Sequence, residues 1–88
     1  MDKAFYVYIL RCGDGTLYTG STYDVQKRLQ LHSNGKGAKY TRGRGPLQLV
    51  YFESKASRSD ALKREIAIKR MTRIQKEQLI ADFTNSES

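Results

Sequence analysis

Two tyrosine-bearing triplets, Tyr6-Val7-Tyr8 and Tyr18-Thr19-Gly20, stand close together near the start of the chain, and one glutamate, Glu65, falls where a helix should be apolar. A phenol ordinarily titrates near ~10, so a tyrosine acts as a base at neutral pH only beside a cation. Glu65 shares a helical stripe with Ala61, Leu62 and Ile68. A carboxylate there is costly unless it is paired, bound to a metal or set at the rim of a cleft. The plainer reading of Glu65 is a rim salt bridge to Lys69 at i+4, worth about 0.2–0.5 kcal/mol. His32 lies on a stripe with Val25 and Leu29, with Arg28 one turn before it. A histidine so placed can contact a phosphate or move a proton, or simply pack with a hydrogen bond.

These residues need elements to hold them. Cys12-Gly13-Asp14-Gly15 separates the two triplets. Asp-Gly between apolar runs predicts a tight hairpin with φ > 0 at both turn positions. The strands are expected over about residues 4–11 and 16–21, which sets the triplets side by side. The first strand puts Phe5, Val7 and Ile9 on one face and Tyr6, Tyr8 and Leu10 on the other, the pattern of a central strand covered on both sides. The second is more polar and reads as an edge. A helix follows over about 24–33, capped by Thr22 or Asp24 and closed at Asn34-Gly35. Pro46 introduces a third strand, 47–52. Ser57-Arg58-Ser59-Asp60 opens a helix over 58–71, and Thr72-Arg73-Ile74-Gln75 opens another over 73–83, anchored by Leu79, Ile80 and Phe83. Residues 84–88 read as a polar, flexible tail after a single domain of residues 1–83. The order is β-β-α-β-α-α, a small α/β (α+β) domain with a three-stranded antiparallel sheet flanked by helices.

Charge narrows the partners. Sixteen Lys and Arg against nine Asp and Glu give a net charge of +7. Residues 25–52 carry Lys27, Arg28, Lys36, Lys39, Arg42 and Arg44 and no acid. That stretch includes a loop, 34–46, in which Lys36, Lys39, Tyr40, Arg42 and Arg44 alternate with glycines. A loop of this length without regular structure is usually functional or disordered. An acid-free basic segment attracts polyanions through phosphate charge and counterion release. Lys36, Lys39, Tyr40, Arg42 and Arg44 are therefore the candidate nucleic-acid contacts. One cysteine, Cys12, excludes a disulfide framework within the chain and a cysteine-rich zinc site. The longest apolar stretch, 4–10, is far too short for a membrane span, and no secretory signal precedes it, so the expected location is the cytoplasm.

Tyr-Val-Tyr, nine residues, then Tyr-Thr-Gly resembles the signature of the GIY-YIG nuclease superfamily, with Tyr8, Tyr18 and Gly20 at the matching positions. Tyr6, Val7 and Thr19 replace the Gly, Ile and Ile of that pattern. Arg28, ten residues after Tyr18, and Glu65, on the helix after the third strand, match its arginine and its metal-binding glutamate. The resemblance runs from about Tyr6 to Met71. Gly35-Lys36-Gly37-Ala38-Lys39-Tyr40-Thr41 further resembles the small stand-alone bacterial members, which are similar to the amino-terminal incision module of the excision-repair nuclease. Many relatives carry an asparagine soon after the glutamate helix. Here that region reads Lys76-Glu77-Gln78, and the late asparagine is Asn85.

The resemblance implies an endonuclease that hydrolyses DNA, branched or damaged DNA included, with Mg²⁺ or Mn²⁺ and no small-molecule cofactor. Phosphodiester hydrolysis needs an activated water, stabilisation of charge on the phosphoryl oxygens and help for the leaving oxygen. Tyr8 or Tyr18 would take the water's proton, and Arg28 would hold the phosphate. Glu65 would ligate the metal, since magnesium commonly uses one or two carboxylates with several waters and substrate phosphate. His32 would assist proton transfer or touch a phosphate. Two alternatives stand beside this: a nucleic-acid-binding module of the same fold without efficient cleavage, and a small RNA- or ribosome-associated basic protein.

Overall fold

The structure, a computed structural model, describes residues 4–37 and 41–87, with the side chains of residues 86 and 87 left aside. Three strands, β1 (Phe5–Arg11), β2 (Leu17–Thr22) and β3 (Gln48–Lys55), form one antiparallel sheet in the order β2-β1-β3. Three helices, α1 (Val25–Ser33), α2 (Arg58–Lys69) and α3 (Arg73–Glu87), complete the order β-β-α-β-α-α. β1 is the central strand and β2 an edge, as the apolar patterning predicts.

The hairpin turn departs from expectation. Gly15 alone takes positive φ, at 86°, and Asp14 does not. The Gly15 N–H reaches the Cys12 carbonyl at 2.9 Å and the Cys12 N–H reaches the Thr16 carbonyl at 2.8 Å. The loop thus has three residues and needs one left-handed position, which glycine supplies without steric cost. Asp14 instead turns its carboxylate onto the Thr16 N–H and hydroxyl, at 3.1 and 2.6 Å.

Local chemistry ends each helix where the sequence marks it. The Asp24 carboxylate caps α1 through the Lys27 N–H at 3.1 Å. At the other end Gly35, with φ 75°, lets Lys36 N–H reach back to the Leu31 carbonyl. Ser57 caps α2 through the Asp60 N–H. Thr72 and Gln75 cap α3 reciprocally: the Thr72 hydroxyl accepts from the Gln75 N–H, and the Gln75 amide oxygen accepts from the Thr72 N–H.

Two elements run further than expected. β3 continues to Lys55 because β1 still offers partners: Glu53 lies opposite Val7 and Lys55 opposite Phe5. α3 continues to Glu87, past the expected end near residue 83, with the Thr84 hydroxyl bonding back to the Ile80 carbonyl.

One face of the sheet carries the core. Phe5, Val7 and Ile9 pack there with Tyr51, Ala61, Ile68 and Ile80, and Leu79, Met71 and Phe83 close around them. α2 presents Ala61 and Ile68 to the sheet, whereas Leu62, expected on that stripe, is 41% exposed. The inward stripe is i, i+4, i+7, and its middle position is Glu65.

Candidate active site

β1 alternates its side chains, so the strand that buries Val7 and Ile9 in the core sends Tyr8 to the opposite face. Cross-strand register sets Gly20 directly opposite Tyr8, and Tyr18 opposite Leu10, on that same face. A β-carbon at Gly20 would stand 2.6 Å from the Tyr8 hydroxyl and 3.2 Å from the Tyr18 ring. Gly20 is therefore the gap that lets Tyr8 lie across β2 towards α1. The two phenol rings stand 6.4 Å apart, centroid to centroid.

α1 delivers His32, its buried residue. His32 Nε2 lies 3.0 Å from the Tyr8 hydroxyl, and Nδ1 lies 2.8 Å from the Thr41 hydroxyl. The Tyr18 ring packs 5.1 Å from the imidazole. Thr41 is fully buried. Gly37 closes the pocket from the loop, since a β-carbon there would overlap the His32 ring. A neutral imidazole carries one donor and one acceptor nitrogen, and each nitrogen here has a hydroxyl to match. Burial, and then the Arg28 charge, hold the His32 pKa below its usual 6.5. His32 is neutral at pH 7.

The same surroundings act on Tyr8. Burial pushes its phenol well above the ordinary 10, Tyr18 pushes it further, the Arg28 guanidinium pulls it down and the Glu65 carboxylate pushes it up. Arg28 and Glu65 thus both stand within electrostatic reach of the Tyr8 hydroxyl, although α1 and α2 are separate elements. Arg28 is exposed. Glu65 is not: its side chain is 16% exposed, and one carboxylate oxygen meets Lys69 Nζ at 2.7 Å. The i+4 salt bridge expected from the sequence is present, and the Glu65 carboxylate also acts on Tyr8 through its charge. Of the five candidate catalytic residues, Tyr8, Tyr18 and His32 touch, and Arg28 and Glu65 are linked to Tyr8 by charge alone.

The candidate nucleic-acid contacts divide. Lys36 and Arg42 are exposed on the loop that encloses His32. Arg44 pairs its guanidinium with Asp14 at 2.6 Å. Its carbonyl also accepts the Gly13 N–H at 2.6 Å. The loop and the hairpin tip are thereby clamped together. Lys39 and Tyr40 lie outside the described residues. Sequence reasoning passed over Thr41 and Gly37, whose roles follow only from where the loop folds back. Among the described residues no cluster of three or more His, Cys, Asp or Glu is suited to a metal ion.

The strand pair thus presents two tyrosines across a glycine. The chain belongs to the GIY-YIG family: the GIY-YIG catalytic domain matches residues 4–78. Among its relatives is a UPF0213 protein of Clostridium perfringens, 58% identical over 82 residues, or 93% of this chain and 88% of that one. The solution structure of a UPF0213 protein from Bacillus halodurans has a TM-score of 0.58 at 50% identity, covering 89% of this chain and 83% of that one. A second solution structure, of a protein from E. faecalis, has a TM-score of 0.64 at 43% identity, covering 93% and 88%.

Proposed function

We propose that the protein is a divalent-metal-dependent endonuclease that hydrolyses DNA phosphodiester bonds. The observation that carries this reading is the buried Tyr8–His32–Thr41 chain, with Arg28 and Glu65 acting on its Tyr8 end. Membership of a nuclease family and the net charge of +7 agree with a nucleic-acid substrate.

Burial keeps the Tyr8 phenol protonated at rest. It therefore takes a proton from an attacking water only if it passes its own proton on. His32, neutral and held at hydrogen-bond distance through Nε2, is the acceptor. With the Thr41 hydroxyl accepting from Nδ1–H, Nε2 is left to accept. The water oxygen bonds to phosphorus as the bond to the ester oxygen breaks; the water's proton passes to Tyr8 as the Tyr8 proton passes to His32, and the departing oxygen takes a proton from solvent. Arg28 holds the phosphoryl oxygens as negative charge builds on them. Tyr18 walls the site beside the His32 ring. Glu65 is the carboxylate for the metal. A single hard oxygen donor suits Mg²⁺ or Mn²⁺, which complete their shells with water and phosphate oxygens and not with a protein cage. When bound, such an ion neutralises charge on the phosphate and the leaving oxygen.

The test is cleavage of duplex, branched and single-stranded DNA with Mg²⁺ or Mn²⁺ and with chelator. Cleavage should require the metal, Glu65→Gln should abolish it without loss of fold, and Arg28→Ala should lower the rate by about 10²–10³. Glu65→Gln cleaving as well as the wild type would leave the glutamate as the partner of Lys69 alone. DNA binding without cleavage under every condition would favour a binding module of the same fold.

A further inference from the structure

Between the end of β2 and the starts of α1 and α2 lies a cleft of about 320 Å³ lined by Arg28 and Arg58, by the hydroxyl-bearing Ser21 and Tyr23, and by the apolar Phe5 and Leu62. No acidic residue lines it. Neither arginine takes part in any ion pair of the described residues. Two guanidinium groups line one cleft with no carboxylate among its lining residues, which makes it attractive to an anion. Arg28 acts electrically on Tyr8 and His32 on one side and lines this cleft on the other. Arg28 is therefore shared electrostatically between this cleft and the tyrosine site.

Arg58 is also poorly placed for the stability of its helix. It is the first residue of α2, where the peptide dipoles favour negative charge, and Asp60 already supplies that charge. Leu62, one turn further, is exposed and turns its apolar surface to the same cleft. A ligand with alternating charge and apolar surface matches both residues. A nucleic-acid strand is such a ligand.

We infer that the Arg28–Arg58 cleft is a second phosphate subsite, which binds the backbone phosphodiester next to the scissile one and seats the intervening sugar on Tyr23 and Leu62. This rests on the nuclease reading, in which Arg28 holds the scissile phosphate. Arg58 grips the strand and takes no part in the bond breaking.

The test is binding of an oligonucleotide by wild type, Arg58→Ala and Arg58→Lys over a series of salt concentrations, with a thermal melt of each protein. Arg58→Ala should weaken binding about tenfold and lower the log–log salt slope by about 0.7 for single-stranded DNA or 0.9 for duplex, one phosphate contact. Arg58→Lys should restore the slope. The melting temperature of Arg58→Ala should stay level or rise, because a cation leaves the positive end of α2. Replacing the phosphate adjacent to the cut by a neutral methylphosphonate should weaken wild-type binding and leave Arg58→Ala unaffected. An unchanged slope in Arg58→Ala, or equal sensitivity of both proteins to the methylphosphonate, overturns the subsite. If the wild type cleaves and Arg58→Ala binds as tightly, the cleft alone is struck out. If Arg58-dependent binding persists in a wild type that cleaves nothing, the nuclease reading fails while the anion cleft stands.

Discussion

The two faces of β1 are built on opposite terms. One buries Phe5, Val7 and Ile9 against α2, α3 and β3 in a cluster that is apolar apart from the Tyr51 hydroxyl. The other buries Tyr8, and with it His32 and Thr41, each polar atom held by another. Apolar packing is non-directional, so the first face tolerates changes of shape that keep volume. A buried hydrogen-bonded chain is directional, and losing one member strands the next. One strand thus carries the fold on its odd residues and the proposed chemistry on its even ones.

Substitutions on the two faces should separate activity from stability. The largest effect is expected at Tyr8. Tyr8→Phe keeps the ring and removes the hydroxyl, so cleavage should fall by about 10²–10⁴. Unfolding free energy should change by no more than about 1–3 kcal/mol, the cost of leaving His32 Nε2 without its partner. Urea denaturation run beside the cleavage assay checks both halves. Ile9→Ala should do the reverse, with about 2–5 kcal/mol lost from stability and a near-normal rate from whatever protein remains folded. Equal losses of activity and stability in both variants would erase the distinction between the faces.

Gly20→Ala sharpens the comparison without touching a polar group. Its β-carbon would stand 2.6 Å from the Tyr8 hydroxyl, so Tyr8 must move away from His32. Activity should drop well beyond what a stability loss of about 1–3 kcal/mol explains. A crystal or solution structure of the variant would show whether the 3.0 Å contact survives.

Acid should loosen the even face before the surface ion pairs. His32 has a lowered folded pKa, so the unfolded chain binds the extra proton more readily and stability falls as pH drops below the ordinary 6.5. Glu77 is held down to about 2 by the Arg11 guanidinium, which bonds it through two nitrogens at 2.7 and 2.9 Å, and by Arg73. Its contribution is complete above the usual 4.5 and is lost between there and about 2. Glu53 behaves alike: burial alone would raise its carboxyl, but bonds from Tyr51, Lys55 and Arg64 outweigh that and lower it. Denaturation followed from pH 8 to 3 should show two declines, and Thr41→Val with His32→Gln should remove only the upper one.

The smallest effect concerns the apolar face. Thr19 lies opposite Ile9, and its buried hydroxyl has no hydrogen-bond partner among the described residues. Thr19→Val removes that polar atom at constant shape and should stabilise the protein by about 1 kcal/mol. A loss of stability instead would mean that the hydroxyl is matched in solution.

Much of the architecture is legible because it rests on short-range chemistry. The hairpin, the caps at Asp24, Ser57 and Thr72 and the Gly35 stop each depend on residues a few positions apart. The turn type was not legible, because Asp14 satisfies itself with Thr16 and with Arg44, a residue far along the chain. Leu62 was misplaced for a related reason. A helical projection gives the stripe but not its rotation, and α2 turns so that Ala61, Glu65 and Ile68 look inward. Of the site, the triplets and their spacing carried Tyr8 and Tyr18, and the helical stripe carried His32. Thr41 and Gly37 lie in the stretch that carries the family resemblance, but their roles follow only from the tertiary folding that brings them to His32.

The strand order β2-β1-β3 has a consequence for how the chain reaches its structure. Tyr8 meets Gly20 across one edge of β1, a local pairing closed by a short turn, but meets Phe52 across the other, far along the chain. Local hairpins form in microseconds, whereas pairings between distant segments wait on loop closure. During synthesis the β1–β2 hairpin is complete long before β3 emerges. Its open edge, with Val7 and Ile9 uncovered, is a template for pairing with another chain until residues 48–55 arrive. A truncation that stops before β3 should therefore aggregate, while one that removes only the end of α3 should not.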